Sequence, residues 1–171
     1  MEWLKTLDAK ITVALIGAAV VALGWFVNSW RDRKAMQRRR IERRRDVQSA
    51  IAAEILPYVE ALELFDLEDA LEKVVTRMRS DPDYVPVVPT ERNDTVFRAI
   101  LPDIHILPET VIRPVVRYYS QIFAIEAIID DLRSPVFRDM SEEQREKIYA
   151  DYFGLKIQAL KLGRVALEAI E

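Results

Sequence analysis

From Ile11 to Val27 the chain reads ITVALIGAAVVALGWFV without a charge, and beyond Arg45 the apolar residues recur instead at spacings of three and four. The two patterns predict different elements. The gap between Lys10 and Arg31 holds 20 residues, which at 1.5 Å per residue matches the roughly 30 Å of a bilayer core. Nine residues of the run are Val, Leu, Ile or Phe, each favouring insertion by roughly 0.3 to 0.6 kcal/mol, and Trp3, Trp25 and Trp30 fall at or near its ends, where indole rings prefer to sit. A single N-terminal transmembrane helix over 11–30 is expected. The run is longer than a signal-peptide core and leads into Arg31-Asp32-Arg33-Lys34 without a small-residue cleavage site. Ala14, Gly17, Ala18 and Ala22 form a stripe of small residues that could let two such helices approach, although small residues are common in any membrane helix.

The later pattern predicts helices of a bundle. Val47, Ile51, Ile55, Tyr58, Leu62 and Phe65 step by four and three, then Leu71, Val74 and Met78 resume, giving one amphipathic helix or two. Pro57 lacks the amide proton of a helix interior, so a kink near Ala53 to Pro57 is expected. A second long helix follows Pro108, with Val111, Val115, Tyr118, Ile122, Ile125, Ile129 and Leu132 on its face. Ile112, Val116, Tyr119, Phe123 and Ile128 widen that face, which marks this helix as central. It ends before Ser134-Pro135, since the residue preceding proline is pushed out of helical geometry. A third begins at Ser141, the S-x-x-Q form of a capping box with Gln144, and carries Ile148, Tyr152, Leu155, Ala159, Leu162, Ala166 and Ala169 to the C-terminus. A short fourth piece from about Asp94 to Leu101 would be capped by Asn93 or Asp94 and stopped near Pro102.

The fold expected is therefore all-α: one transmembrane helix, then a cytoplasmic bundle of three long helices plus a short one. No apolar stripe runs unbroken long enough for an extended coiled coil. The link Ser80 to Asn93, SDPDYVPVVPTERN, is stiffened by Pro82, Pro86 and Pro89. Its Pro86-Val87-Val88-Pro89 has the form that proline-recognising modules bind, but Tyr84, Val85, Val87 and Val88 favour a strap packed on the bundle.

Charge adds orientation. The net charge of -3 conceals an asymmetry, because residues 1–46 hold 11 Lys/Arg against 5 Asp/Glu and the remaining 125 hold 14 against 23. Arg31, Arg33, Lys34, Arg38, Arg39, Arg40, Arg43, Arg44 and Arg45 crowd one flank of the apolar run, and such an excess stays cytoplasmic. The expected organisation is an extracytoplasmic N-terminus (1–10), the span (11–30), an arginine-rich juxtamembrane stalk (31–46) and a cytoplasmic bundle (47–171), placed at the plasma (inner) membrane. The six arginines from Arg38 to Arg45 fall all around a helix, which argues against a helix lying in the headgroups. Topology and a solvated stalk account for most of the collar. Contact with anionic lipid is the alternative, and nucleic acid is disfavoured for want of interleaved aromatics.

Candidate chemistry is sparse. Cysteine is absent and His105 is the single histidine, so di-iron carboxylate sites and the usual zinc sets cannot be assembled. His105, between Ile104 and Ile106, reads as a partly buried ring with a hydrogen bond. Glu126, Asp130 and Asp131 cluster on the central helix, expected to be solvated or paired with arginines such as Arg133. No Walker loop, G-x-S-x-G elbow or dinucleotide fingerprint occurs. No catalytic residue and no cofactor is expected. The reading is a non-enzymatic adaptor or scaffold tethered to the bilayer and presenting its bundle to a protein partner or to itself; the alternative is an anionic-lipid sensor or effector acting through the collar.

Overall fold

The computed structural model of the chain describes residues 2–81 and 83–171; the side chains of residues 2–10 and of Thr12, Leu15 and Ala19 lie outside the description. The described residues are helical or irregular, with no strand. The helices are α1 (Glu2–Leu64), α2 (Leu67–Ser80), α3 (Thr95–Ile100), α4 (Glu109–Arg133), α5 (Pro135–Asp139) and α6 (Glu142–Ile170), with a 3-10 turn over Leu101–Ile106. The chain divides into two units, Met1–Arg43 and Arg44–Glu171, and α1 contributes to both.

In the first unit the large apolar side chains of α1 are exposed, from 51% at Ile11 to 72% at Val21 and Trp25. Among the described residues, no helix is long and apolar enough to cross a membrane. The expected transmembrane helix over 11–30 is thus not supported at this level.

In the second unit α1 buries Val47, Ile51, Ile55, Val59 and Leu62, so Val59 takes the core position expected of Tyr58, and Phe65 is 65% exposed. Helix α1 runs through Pro57, which is exposed, and continues to Leu64. Buried Ile55 and Val59 on either side of the proline hold the helix where its own hydrogen bond is missing; each such side chain gains roughly 1.5–3 kcal/mol by leaving water. Asp66 then starts α2 by accepting from the Asp69 amide at 3.0 Å.

All seven positions read onto the face of α4 are buried, together with Tyr119 and Gln121. The buried Gln121 amide donates to the Leu155 carbonyl of α6 at 3.0 Å, satisfying a polar group that would otherwise be costly. Ser141 and Gln144 form both halves of the capping box that opens α6. The buried face of α6 is turned from the expected stripe, for it adds Tyr149, Phe153 and Gly163 and leaves Ile148, Leu155 and Leu162 half-buried. Gly163 marks a close approach: a Cβ there would stand 2.5 Å from Val59 Cγ2 and 3.2 Å from the Tyr118 ring. The short α5 was not legible from periodicity; the Ser134 side chain caps it at the Phe137 amide, and Phe137 is buried.

The N-terminus of α3 is capped from a distance. Asp94 occupies the cap position without a side-chain cap bond, and the Glu54 carboxylate of α1 accepts instead from the Val96 and Phe97 amides at 2.6 and 2.9 Å. Tyr119 of α4 donates to the same carboxylate at 2.7 Å while its ring stacks on Phe97, centroids 3.9 Å apart. The expected local cap by Asn93 or Asp94 is thereby corrected, because Asp94 is drawn into an ion pair with Arg98.

Candidate functional site

The proline-rich link lies as a strap on the bundle. Pro86 and Val88 are buried and Tyr84 and Val85 half-buried, so the P-x-x-P pattern is not free for a recognition module; Val87, expected to pack down, is 92% exposed. Helices α2, α4 and α6 fasten the strap, and α1 joins them at Glu91. The Arg77 guanidinium of α2 lies over the Tyr84 ring at 4.3 Å. Arg133 of α4 donates to the Val88 carbonyl at 3.2 Å and to Thr90 Oγ1 at 2.7 Å. Lys156 of α6 donates to Glu91 at 2.6 Å.

Glu91 is the most heavily engaged carboxylate of the strap. Tyr58 of α1 donates to its Oε2 at 2.8 Å, and Tyr152 of α6 donates to Oε1 at 3.0 Å beside Lys156. The Lys156 and Glu91 side chains are only 15% and 16% exposed, and the ammonium also sits 4.9 Å from the Tyr152 ring centre. Burial, reinforced by the Glu91 charge, pushes the Tyr58 and Tyr152 hydroxyls far above their usual range, so both remain proton donors.

Above this polar floor opens an apolar cleft of about 430 Å³. Its walls come from Tyr58, Ala61 and Leu62 of α1, Phe65 of the link that follows it, Leu67 of α2, Tyr149, Tyr152 and Phe153 of α6, and Val87 to Pro89 of the strap. Phe65 and Val87 line it while remaining largely exposed to water. The size falls within the roughly 300–1,000 Å³ of ligand pockets, and the build, apolar walls over a few convergent polar groups, is theirs too.

A second, polar cleft of about 510 Å³ lies between the end of the strap, α3 and α4. Three of its charges are paired among themselves: Asp94 with Arg98, and Arg98 with Glu126 at 3.6 Å. Burial, then the neighbouring Asp94, raises the Glu126 carboxyl. Among the described residues, no group of three or more His, Asp or Glu side chains is arranged to hold a metal ion.

The residues singled out in the sequence fall elsewhere. All nine collar residues are exposed on α1; Arg31, Lys34 and Arg38 share one shallow groove, with Lys34 5.0 Å from the Trp30 ring centre, whereas the other six point around the helix. Ala14, Gly17, Ala18 and Ala22 are exposed on the same helix, and a Cβ at Gly17 would meet nothing within 4 Å. His105 is exposed rather than partly buried, its Nδ1 2.9 Å from the Pro102 carbonyl. Of the carboxylate cluster of α4, Glu126 pairs with Arg98 rather than with Arg133, which serves the strap instead. Glu91 and Lys156 were passed over because the first sits in an irregular link and the second on a helix rich in charge; the one signal was the Tyr152-x-x-x-Lys156 spacing, which puts a hydroxyl and an ammonium on one face. No protein-family model matches this chain, and neither does any curated protein or solved structure.

Proposed function

We propose that this chain is a membrane-tethered, non-enzymatic adaptor: α1 anchors it through residues 11–30, and the bundle works at the cytoplasmic face of the plasma (inner) membrane, docking a protein partner or a second copy. The observation that supports the reading is the charge-free run from Ile11 to Val27, whose described side chains are exposed on α1 and which is followed by nine basic residues between Arg31 and Arg45. Large apolar groups in that number need an apolar surround, and a bilayer supplies one. The small-residue stripe Ala14, Gly17, Ala18 and Ala22 offers a face for self-association of the anchor. A second reading, engagement of anionic lipid, draws on the shared groove of Arg31, Lys34 and Arg38 beside Trp30, where headgroup phosphates would meet three cations.

The test is carried out on the full chain in membranes. Wild type is expected to resist alkaline extraction, whereas Val21→Arg with Leu23→Arg, each costing roughly 2.5–3.5 kcal/mol of insertion, is expected to release it. Crosslinking in those membranes should yield a reproducible partner or a homo-oligomer. Extraction of the wild-type chain, or crosslinking that returns neither species, contradicts the adaptor. Loss of the crosslinked species when Arg38–Arg40 and Arg43–Arg45 become Gln moves the weight to the lipid reading.

A further inference from the structure

The cleft over Glu91 has an unusual balance of charge and hydrogen-bonding capacity. Its floor is an ion pair, neutral as a whole, and the carboxylate of that pair already accepts three hydrogen bonds. The ammonium is less well supplied. Lys156 carries three N–H groups, and among the described residues Glu91 is the one hydrogen-bond acceptor it has. The side chain is 15% exposed and lines the cleft, so the cleft is where the other two can meet an acceptor.

We infer that this cleft binds an uncharged amphiphile: an apolar body held between Phe65, Val87 and Phe153, with a neutral oxygen acceptor, such as an ester or amide carbonyl, directed at the Lys156 ammonium. Chemistry selects each part. Apolar walls and exposed apolar lips reward a hydrocarbon body, which would cover Val87 and Phe65 as it enters. The head must accept a hydrogen bond from Lys156. A carboxylate would be brought beside Glu91, and an ammonium beside Lys156, so either charged head would lose its water for a site with no unpaired countercharge. A neutral carbonyl completes the ammonium without disturbing the pair.

The experiment uses the full chain in detergent micelles and three photoreactive diazirine probes of one alkyl length, ending in a methyl ester, a carboxylate or a primary ammonium. Labelled peptides are mapped by mass spectrometry, and labelling of the 11–27 segment reports each probe's partition into the micelle. After that normalisation, the methyl ester is expected to label peptides containing Phe65, Val87 and Phe153 at least about tenfold more than either charged probe. Ala61→Trp, which fills the cleft from α1, should remove this labelling and leave that of 11–27 unchanged. The double variant Glu91→Gln, Lys156→Met removes both charges at once while a side-chain amide oxygen remains for the tyrosines. With far-UV circular dichroism unchanged, it should abolish the discrimination between heads. Equal labelling by all three probes, cleft labelling that survives Ala61→Trp, or head-group preference that survives the double variant each overturns the inference.

Discussion

Tyr118 is completely buried, and among the described residues its hydroxyl has no hydrogen-bond partner. Its neighbour Tyr119 shows the alternative outcome, for the same group one residue on donates to Glu54. An orphaned buried hydroxyl costs folding free energy, whereas an apolar ring of the same shape does not. Tyr118→Phe is therefore expected to leave stability unchanged or raise it by up to about 1 kcal/mol. Tyr119→Phe, which strips a charge-assisted bond from Glu54, should lower it by roughly 1.5–3 kcal/mol. Urea unfolding followed by circular dichroism measures both; a loss at Tyr118 as large as that at Tyr119 would show that its hydroxyl has a partner after all. At this scale the sequence says little, because two adjacent tyrosines on one apolar helix face differ only in what other elements bring to them.

Elements were far more legible than their joints. The 3-4 spacing on α4 placed every expected core residue, and the Ser141–Gln144 box located the start of α6, because both signals are local and survive packing. What escaped depends on contacts distant in the chain. The cap of α3 comes from Glu54, more than forty residues upstream, and the strap is held by Glu91 through partners on α1 and α6. For the same reason the collar and the small-residue stripe could be found from sequence and the cleft could not: runs are visible in one dimension, and a cleft assembled from α1, α2, α6 and a link is not. The strap yields a prediction at this level. Glu91→Ala leaves the Lys156 ammonium buried without its carboxylate, which should cost roughly 3–5 kcal/mol, and frees the strap from α1 and α6. Limited proteolysis should then cut within residues 81–93 well before the helices. Cleavage no faster than in wild type would mean that Arg133 and Arg77 hold the strap without Glu91.

Taken as a whole, the bundle carries its aromatic hydroxyls inside, and this sets its response to alkali. Tyr58, Tyr118, Tyr119, Tyr149 and Tyr152 are all raised above the ordinary value of 10.0, in each case chiefly by burial. Below pH 10 the folded and unfolded chains both keep these protons. Above it the unfolded chain releases them while the folded chain retains them, so the unfolded state binds fewer protons and stability falls as pH rises. Each tyrosine contributes up to about 1.4 kcal/mol per pH unit over that interval. The expected behaviour is cooperative unfolding starting about one pH unit above the ordinary tyrosine value, with tyrosinate absorbance and helix loss rising together. Titration of all the tyrosines with the helices intact would contradict it.

The contact at Gly163 has a further consequence, for uniqueness rather than strength. Helices packed through apolar stripes can often slide or turn by one position at small cost, since one aliphatic side chain fills much the same space as the next. Here the site opposite Val59 and Tyr118 admits only a hydrogen atom. Turning α6 by one residue would bring Leu162 or Arg164 to that point, and neither fits. A residue with no side chain thus acts as a register key: it contributes almost no attraction of its own, yet it excludes the neighbouring alignments and leaves the bundle a single way to close.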